Sequence, residues 1–135
     1  MNNIINGIKV VFSFIFTILG YFLGGFDVMM ITLLIFMLAD YVTGIIKAVK
    51  EKKVSSKTGA QGILKKIVIL ILVGISNLLG IAVEIEGLRY IIISFYLANE
   101  GISIIENASK IGVPIPQKIK DVLDQLKSKE GDSIE

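Results

Sequence analysis

Two carboxylates lie inside long apolar stretches of this 135-residue chain, and their placement needs a chemical explanation. Asp40 interrupts the stretch VMMITLLIFMLADYVTGII, and Glu100 follows LRYIIISFYLAN. A charged side chain at the centre of a membrane-spanning helix costs on the order of 2.5–3.5 kcal/mol on insertion scales, so it usually faces a partner or water. We therefore expect each acid to belong to a packed polar network or to line a water path.

The neighbours of Asp40 at helical spacing are small or polar. Thr43, Gly44 and Lys47 follow it by three, four and seven positions and share its helical face. A close packing contact, in which Thr43, Asn77 or a lysine pairs with the acid, and a gating role are equally compatible with this pattern. Asn77 belongs to a later apolar run, in which the glycines Gly74 and Gly80 complete a small and polar patch.

Glu100 belongs to a polar stripe along one face of the last apolar segment. The members of the stripe are Tyr96, Asn99, Glu100, Ser103, Glu106 and Asn107. Their offsets of three, four and seven positions place them on one helical face. A stripe of this length favours exposure of Glu100 to water or to another subunit over a packed network with Asn99 and Ser103.

The rest of the composition argues against catalysis. Cysteine and histidine are both absent, which excludes disulfides, thiol nucleophiles, common zinc sites and histidine acid–base chemistry. Neither a metal-ligand cluster nor a phosphate-binding glycine loop is recognisable, so we expect no cofactor and no metal. The chain is 53% hydrophobic and only 19% charged, against about 25% charged residues in soluble domains. The sequence therefore predicts a helical membrane protein rather than an enzyme.

Four apolar segments are long enough to cross a bilayer, whose hydrocarbon core of about 30 Å needs roughly 20 residues of helix. They are residues 8–25, 28–49, 63–83 and 88–107, and together they predict an all-α transmembrane domain over residues 1–110. A three-span alternative makes the fourth segment re-entrant or interfacial. Residues 111–135 form the predicted cytoplasmic tail, in which apolar residues at helical spacing predict an amphipathic helix over about 116–129.

A lysine-rich loop sets the expected orientation. The cations at and beside it are Lys47, Lys50, Lys52, Lys53, Lys57, Lys65 and Lys66, against the single acid Glu51. Short loops rich in lysine and arginine remain in the cytoplasm, so we expect both termini to be cytoplasmic and these lysines to serve as topology and lipid anchors. Anionic lipid headgroups are the expected partner of this loop, and nucleic acid is not.

Small residues and caps predict local features of the helices. Gly20 and Gly24 form a GxxxG pair, which favours a close helix–helix contact, although glycines are also common near the ends of membrane helices. Asp27 fits the N-cap of the second span. Thr58 followed by Gln61 fits a capping box, which predicts that the third helix begins near Gly59.

Two blocks of the sequence resemble a known family. DYVTGIIKAVKEKKVSSKTGAQGILKK (40–66) and NEGISIIENASKIGVPIPQKIKDVL (99–123) are similar to blocks of the phage holins of the toxin-secretion/phage-lysis type, holin family 4. The positions that carry the resemblance are Asp40, Gly44, Lys47, Gly59, Gly62, Asn99, Glu100, Glu106, Asn107, Pro114 and Pro116. The blocks cover most of residues 36–126, whereas residues 1–30 contribute little.

The resemblance implies a non-enzymatic protein of the bacterial cytoplasmic membrane. It implies that copies of the chain self-associate and open large lesions, through which a cell-wall hydrolase or a large toxin passes as cargo. Two alternatives stay open. One is a small ion-coupled transporter or channel that uses Glu100 or Asp40, and the other is an antiholin-type regulator that inhibits a partner holin by co-oligomerising.

Overall fold

The computed structural model describes residues 1–119 and 121, and this part of the chain is built from four helices without strands. The helices are α1 (Asn2–Leu23), α2 (Val28–Lys50), α3 (Ser56–Ala82) and α4 (Leu88–Ile111). All four are long and apolar enough to cross a membrane, which confirms the predicted fold class. Most of the predicted amphipathic helix over 116–129 lies outside the described residues.

The helices are longer than the apolar segments that identified them. They contain 22, 23, 27 and 24 residues. At 1.5 Å per residue the shortest is about 33 Å long and the longest about 40 Å, so each exceeds a hydrocarbon core of about 30 Å. Helix α1 begins at Asn2, six residues before the predicted segment. The polar ends of the helices therefore extend into the headgroup regions.

Caps explain where the helices begin and end. Asp27 is the N-cap of α2, as predicted, and its Oδ1 accepts a hydrogen bond from the Met30 amide at 2.9 Å. The prediction for α3 was wrong. Ser55 is its N-cap and accepts from the Thr58 amide at 3.1 Å, so the helix begins at Ser56 rather than near Gly59. Ser55 lies three residues before Thr58 and accepts from the Thr58 amide, which the predicted capping box would have paired with the Gln61 side chain.

Helix α4 packs along both α2 and α3, which contact each other only sparsely. The side chains that form the core are Met30, Leu33 and Met37 of α2, Ile69 and Val73 of α3, Ile93 of α4 and Leu23 at the end of α1. Large apolar side chains cover the outward faces, and those on the spans suit a lipid environment. The bundle of α2, α3 and α4 therefore positions the polar residues in its interior.

Helix α1 is attached to the bundle mainly by its last turn. Leu23 in the last turn is the one buried residue of α1, and the main contact of α1 within the described part of the chain is with α3. At that contact the ring of Phe22 occupies the space beside Gly74, where a side chain would collide with it. The small size of Gly74 thus makes room for the Phe22 ring. Most of α1 remains available to lipid or to another protein.

A Gly74→Ala substitution should loosen α1 from α3, because the added methyl group would occupy the position of the Phe22 ring. Overpacking of this kind costs typically about 1–3 kcal/mol, which outweighs the roughly 1 kcal/mol that alanine gains over glycine in a helix. Thermal unfolding in detergent measures the loss. The matched control is Gly7→Ala, because nothing lies within 4 Å of a Cβ atom at Gly7. Equal stability of both variants would contradict the packing role.

Candidate functional site

Three charged side chains from three helices meet inside the bundle. The Lys66 ammonium of α3 donates hydrogen bonds to Asp40 Oδ2 of α2 at 2.7 Å and to Glu100 Oε2 of α4 at 2.5 Å. Both contacts are also ion pairs. We call Asp40, Lys66 and Glu100 the midplane triad. It joins the three helices of the bundle at one point.

The midplane triad lies near the middle of α2 and α4 and in the loop-side half of α3. Asp40 and Glu100 each lie twelve residues after the first residue of their helix, and Lys66 lies ten residues after the start of α3. These separations correspond to about 15–18 Å of helix, or half of a hydrocarbon core. The side chains are 16%, 2% and 14% exposed for Asp40, Glu100 and Lys66. Charges so placed are costly unless they are paired, and Lys66 provides the partner for both acids.

A polar extension continues from the triad toward the lysine-rich loop. Asn107 of α4 donates to Asp40 Oδ1 and to Thr43 Oγ1, both at 3.2 Å. The Thr43 hydroxyl in turn donates to the Ala39 carbonyl at 2.8 Å. Among the described residues, each buried side-chain nitrogen or oxygen has a hydrogen-bond partner. The interior polar groups therefore form a satisfied network.

The sequence identified two members of the triad but missed the third. Lys66 was placed with the lysines of the headgroup region, whereas the structure places it in the interior between two acids. A signal was present, because Lys66 shares a helical face with the buried residues Ile69 and Val73 at i+3 and i+7. Lys65 instead shares its face with Val68 and Leu72, which are exposed.

Other predicted polar residues divide between the interior and the surface of the bundle. Glu100 was expected to face water or another subunit, but in the single chain it is buried against Lys66, which offsets its charge. Asn107 is also buried, whereas Asn99, Ser103 and Glu106 are partly exposed. Asn77 does not pair with Asp40. It lies near the other end of α3 and donates to the Phe22 carbonyl at 3.1 Å.

Arg89 organises the end of the bundle opposite the lysine-rich loop. Its Nε donates to the Leu23 carbonyl at 2.5 Å, Nη2 to the Gly25 carbonyl at 2.9 Å, and Nη1 to Asp27 Oδ2 at 2.7 Å. We call these four residues the Arg89 clamp. The carbonyls at the end of α1 lack partners within the helix, so the planar guanidinium satisfies them while it pairs with the N-cap of α2.

The Arg89 clamp also fixes the ionisation of Asp27, which lies between α1 and α2. Hydrogen bonds from Arg89 are the main reason that the pKa of the Asp27 carboxyl is lowered below its usual range. The backbone amide of Met30 and the hydroxyl of Tyr90 lower this pKa further, whereas partial burial opposes them. Asp27 is therefore a carboxylate at neutral pH, as its roles of N-cap and ion-pair partner require.

The two glycines of the GxxxG pair have different surroundings. Gly24 adopts a positive φ of 79° and ends α1, and a side chain there would meet Arg89 atoms at 2.6 Å and 2.7 Å. Gly20 faces the ring of Phe26 in the following turn. Gly80 lies close to the Ile85 carbonyl in the turn before α4. Gly24 thus lets Asn77 of α3 and Arg89 of α4 approach the end of α1, whereas Gly20 and Gly80 accommodate the turns that follow their helices.

Lys50 has a structural role that the sequence did not suggest. Its ammonium donates to the carbonyls of Lys110 and Ile111 at 3.3 Å and 2.5 Å, at the last turn of α4. A cation there satisfies unpaired carbonyls and complements the helix dipole. Lys50 is itself exposed, as are Lys52, Lys53, Lys57 and Lys65 of the predicted anchor set, whereas Lys47 is half-buried. Lys50 thus ties α2 to α4 at the lysine-rich end.

Comparison with known proteins identifies the family. The model of the bacteriophage holin family matches residues 17–128, which include all of α2, α3 and α4. The chain belongs to the bacteriophage holin family. A probable holin of Bacillus phage phi105 is 36% identical to this holin over 97 residues, which are 71% of this chain and 72% of the phage protein. No solved structure matches.

Two bacterial relatives extend the similarity. A 14.9 kDa protein from the nagH 3' region of Clostridium perfringens is 42% identical over 132 residues, which are 96% of this holin and 99% of that protein. The Bacillus subtilis protein YqxH is 36% identical over 102 residues, which are 75% and 73% of the two chains. The family match begins near the end of α1, close to the turn where α1 joins the bundle.

An Arg89→Lys substitution should destabilise the bundle although it keeps the charge. A lysine cannot reach the Leu23 and Gly25 carbonyls and both Asp27 oxygens at once, because its donors lie on one nitrogen. Hydrogen bonds to charged groups contribute about 1.5–3 kcal/mol, so we expect a loss of that order in the free energy of unfolding.

Unfolding with a denaturing detergent measures this loss in the free energy of unfolding. The control is Lys53→Arg, the reverse exchange at an exposed position of the loop. We expect the control to match the parent holin. An Arg89→Lys variant as stable as this control would show that the fork geometry of Arg89 is unimportant.

Proposed function

We propose that this holin self-associates in the bacterial cytoplasmic membrane and opens lesions that release a cell-wall hydrolase or a large toxin. The observation that carries the proposal is the family match over residues 17–128, together with the 36% identity to a probable holin of a phage. The four helices long enough to span a membrane are consistent with such a role. In this proposal the chain acts without enzymatic chemistry, and lipid and further copies of itself are its partners.

Release of a folded protein requires several copies of the chain. Two cavities among the described residues have volumes of about 350 and 450 Å³. Cavities of this size suit a small molecule and are too small for a folded protein to pass. We propose that α2, α3 and α4, joined by the midplane triad, form the repeating unit of the assembly. Helix α1 offers a long unburied face through which neighbouring copies can associate.

While the triad is intact, only some residues of the polar stripe on α4 can line the lumen of a lesion. Glu100 and Asn107 are buried within the chain, whereas Asn99 and Ser103 are partly exposed. We propose that Asn99 faces a subunit interface or the lumen in the assembly. Ser103 instead lies beside Asp40, with which its side chain forms a hydrogen bond. Exposure of the whole stripe would require Glu100 to leave Lys66.

We propose the orientation in which the lysine-rich loop is cytoplasmic, with both termini on the same side. Residues 47–66 contain seven lysines and one acid, and the positive-inside rule places such a loop in the cytoplasm. The opposite end of the bundle carries Asp27, Glu84 and Glu86, with Arg89 paired to Asp27. Charge placement therefore agrees with this orientation at both ends.

An ion-coupled channel or transporter is a second candidate function. The midplane triad favours it, because intramembrane acids often mark ion pathways. Such a protein would show substrate-dependent flux with little leak, and carboxylate-to-amide changes would abolish that flux without changing assembly. An antiholin-type regulator would be harmless alone and would delay lysis when a partner holin is co-expressed.

Expression in bacteria that contain cytoplasmic reporters of graded size tests the proposed function. We expect loss of membrane potential, followed by release of reporters as large as folded proteins, because the proposed lesion passes a hydrolase. A Lys53→Arg variant, altered at an exposed position of the loop with its charge kept, should release the reporters in the same way. Persistence of the membrane potential and of viability at high expression would contradict the proposal. Release of ions alone would favour the channel.

A further inference from the structure

A cleft of about 450 Å³ lies between α2 and α3 beside the lysine-rich loop, and Ser103 and Asn107 of α4 complete its lining. Small residues line its walls, among them Gly44 and Ala48 of α2 and Gly62 of α3. Lys47 and Lys53 lie among its lining residues near the loop, and Asp40 and Lys66 lie at its deep end. We call this space the α2–α3 cleft. It leads from the lysine-rich loop to the midplane triad.

The cleft gives the triad one open side and one closed side. Asp40 and Lys66 line the cleft and remain 16% and 14% exposed. Glu100 is 2% exposed and is not among the lining residues. A polar cavity needs only about 10–15 Å³ to hold one water molecule, so a space of this size with charged groups at its end suits a chain of water molecules.

The formal charges of the triad do not cancel. Two carboxylates and one ammonium sum to one negative charge at a depth where an uncompensated charge is expensive. Lys65 also lines the cleft and its charge acts on Asp40, but its side chain is exposed, so solvent and salt screen it, and no ion pair within the described residues joins it to either acid. One bound proton would make the group neutral and would leave one carboxylate paired with the ammonium.

The other titratable groups around the triad do not replace that proton. Tyr41 and Lys47 of α2 line the cleft between the triad and the loop, as Lys65 does from α3. Glu106 of α4 lies on the loop side of Glu100 and adds a further acid rather than a cation. The Lys66 ammonium already donates a hydrogen bond to each acid, and its single positive charge offsets only one of the two negative charges.

We propose that the α2–α3 cleft is filled with water and that the midplane triad binds one exchangeable proton through it. The proton comes from a hydronium ion in the cleft and forms an O–H bond on a carboxylate oxygen, leaving a water molecule. The reverse transfer returns it to the same water. This inference concerns the folded chain and holds whether or not the assembled protein opens a lesion.

The absence of natural cysteine allows a direct test of the water-filled cleft. Single cysteines at Gly44 and Ala48 place a thiol on the cleft wall, and a Cβ atom at Gly44 meets Asn107 only at 3.7 Å. The matched controls are Val42→Cys and Ile46→Cys, whose side chains are exposed on α2 outside the cleft. A membrane-impermeant thiol reagent is added from the loop side to the full chain in lipid vesicles.

We expect the cleft cysteines to react at least about tenfold faster than the controls, because the reactive thiolate forms only in contact with water. Equal rates in both pairs would overturn the water-filled cleft. The comparison of positions 44 and 42 is the more informative, since both lie more than one turn inside the end of α2.

Infrared spectroscopy of the parent holin in a lipid bilayer tests the bound proton. We expect the absorption of one protonated carboxyl group at neutral pH, with a shift on transfer to heavy water that shows exchange through the cleft. Asp40→Asn and Glu100→Gln should each abolish this band, because the remaining carboxylate then balances Lys66. Glu106→Gln, the control on α4, should retain it.

Two results would overturn the proton site. One is the absence of the band from the parent spectrum at neutral pH, which needs no variant. The other is a band that persists in both Asp40→Asn and Glu100→Gln. Reporter release in cells does not enter either measurement, so the proton site and the proposed function can fail separately.

Discussion

A lysine ammonium held between two carboxylates from two other helices determines how α2, α3 and α4 fit together. In a bilayer the apolar faces of helices gain little by leaving lipid, so packing and polar contacts must set their arrangement. Asp40, Lys66 and Glu100 can pair only when the three helices have one particular rotation and vertical register. Since each unpaired charge would be expensive at that depth, the triad excludes most alternative arrangements.

Polar contacts at the two ends complete this constraint. At one end Arg89 joins α4 to the end of α1 and to the N-cap of α2, and at the other Lys50 joins α2 to the end of α4. The bundle of α2–α4 is thus tied at both ends and near its middle, whereas α1 is tied at one end only. This difference suits a protein whose bundle must stay intact while another surface associates with further copies.

The sequence predicted the spans well because long apolar runs depend little on tertiary context. Asp27 as an N-cap and a lysine partner for Asp40 were also accessible, since caps and helical spacing are local. Lys66 was not assigned, because the depth of a residue beside a lysine-rich loop depends on how far α3 extends beyond the lipid. Arg89 and Lys50 bind backbone carbonyls that are 66 and 61 positions away in the chain. The pattern of side chains along the sequence does not predict such contacts, because every residue has a backbone carbonyl.

The free energy of unfolding of Lys66→Met, compared with that of the triple variant Asp40→Asn/Lys66→Met/Glu100→Gln, tests the constraint most directly. Removing one partner of a buried ion pair costs about 3–5 kcal/mol, whereas neutralising every member leaves no unpaired charge. At mildly alkaline pH in lipid bilayers, the account predicts that Lys66→Met is the less stable variant by a large part of that amount. A single variant as stable as the triple variant would show that charge pairing does not hold the bundle together.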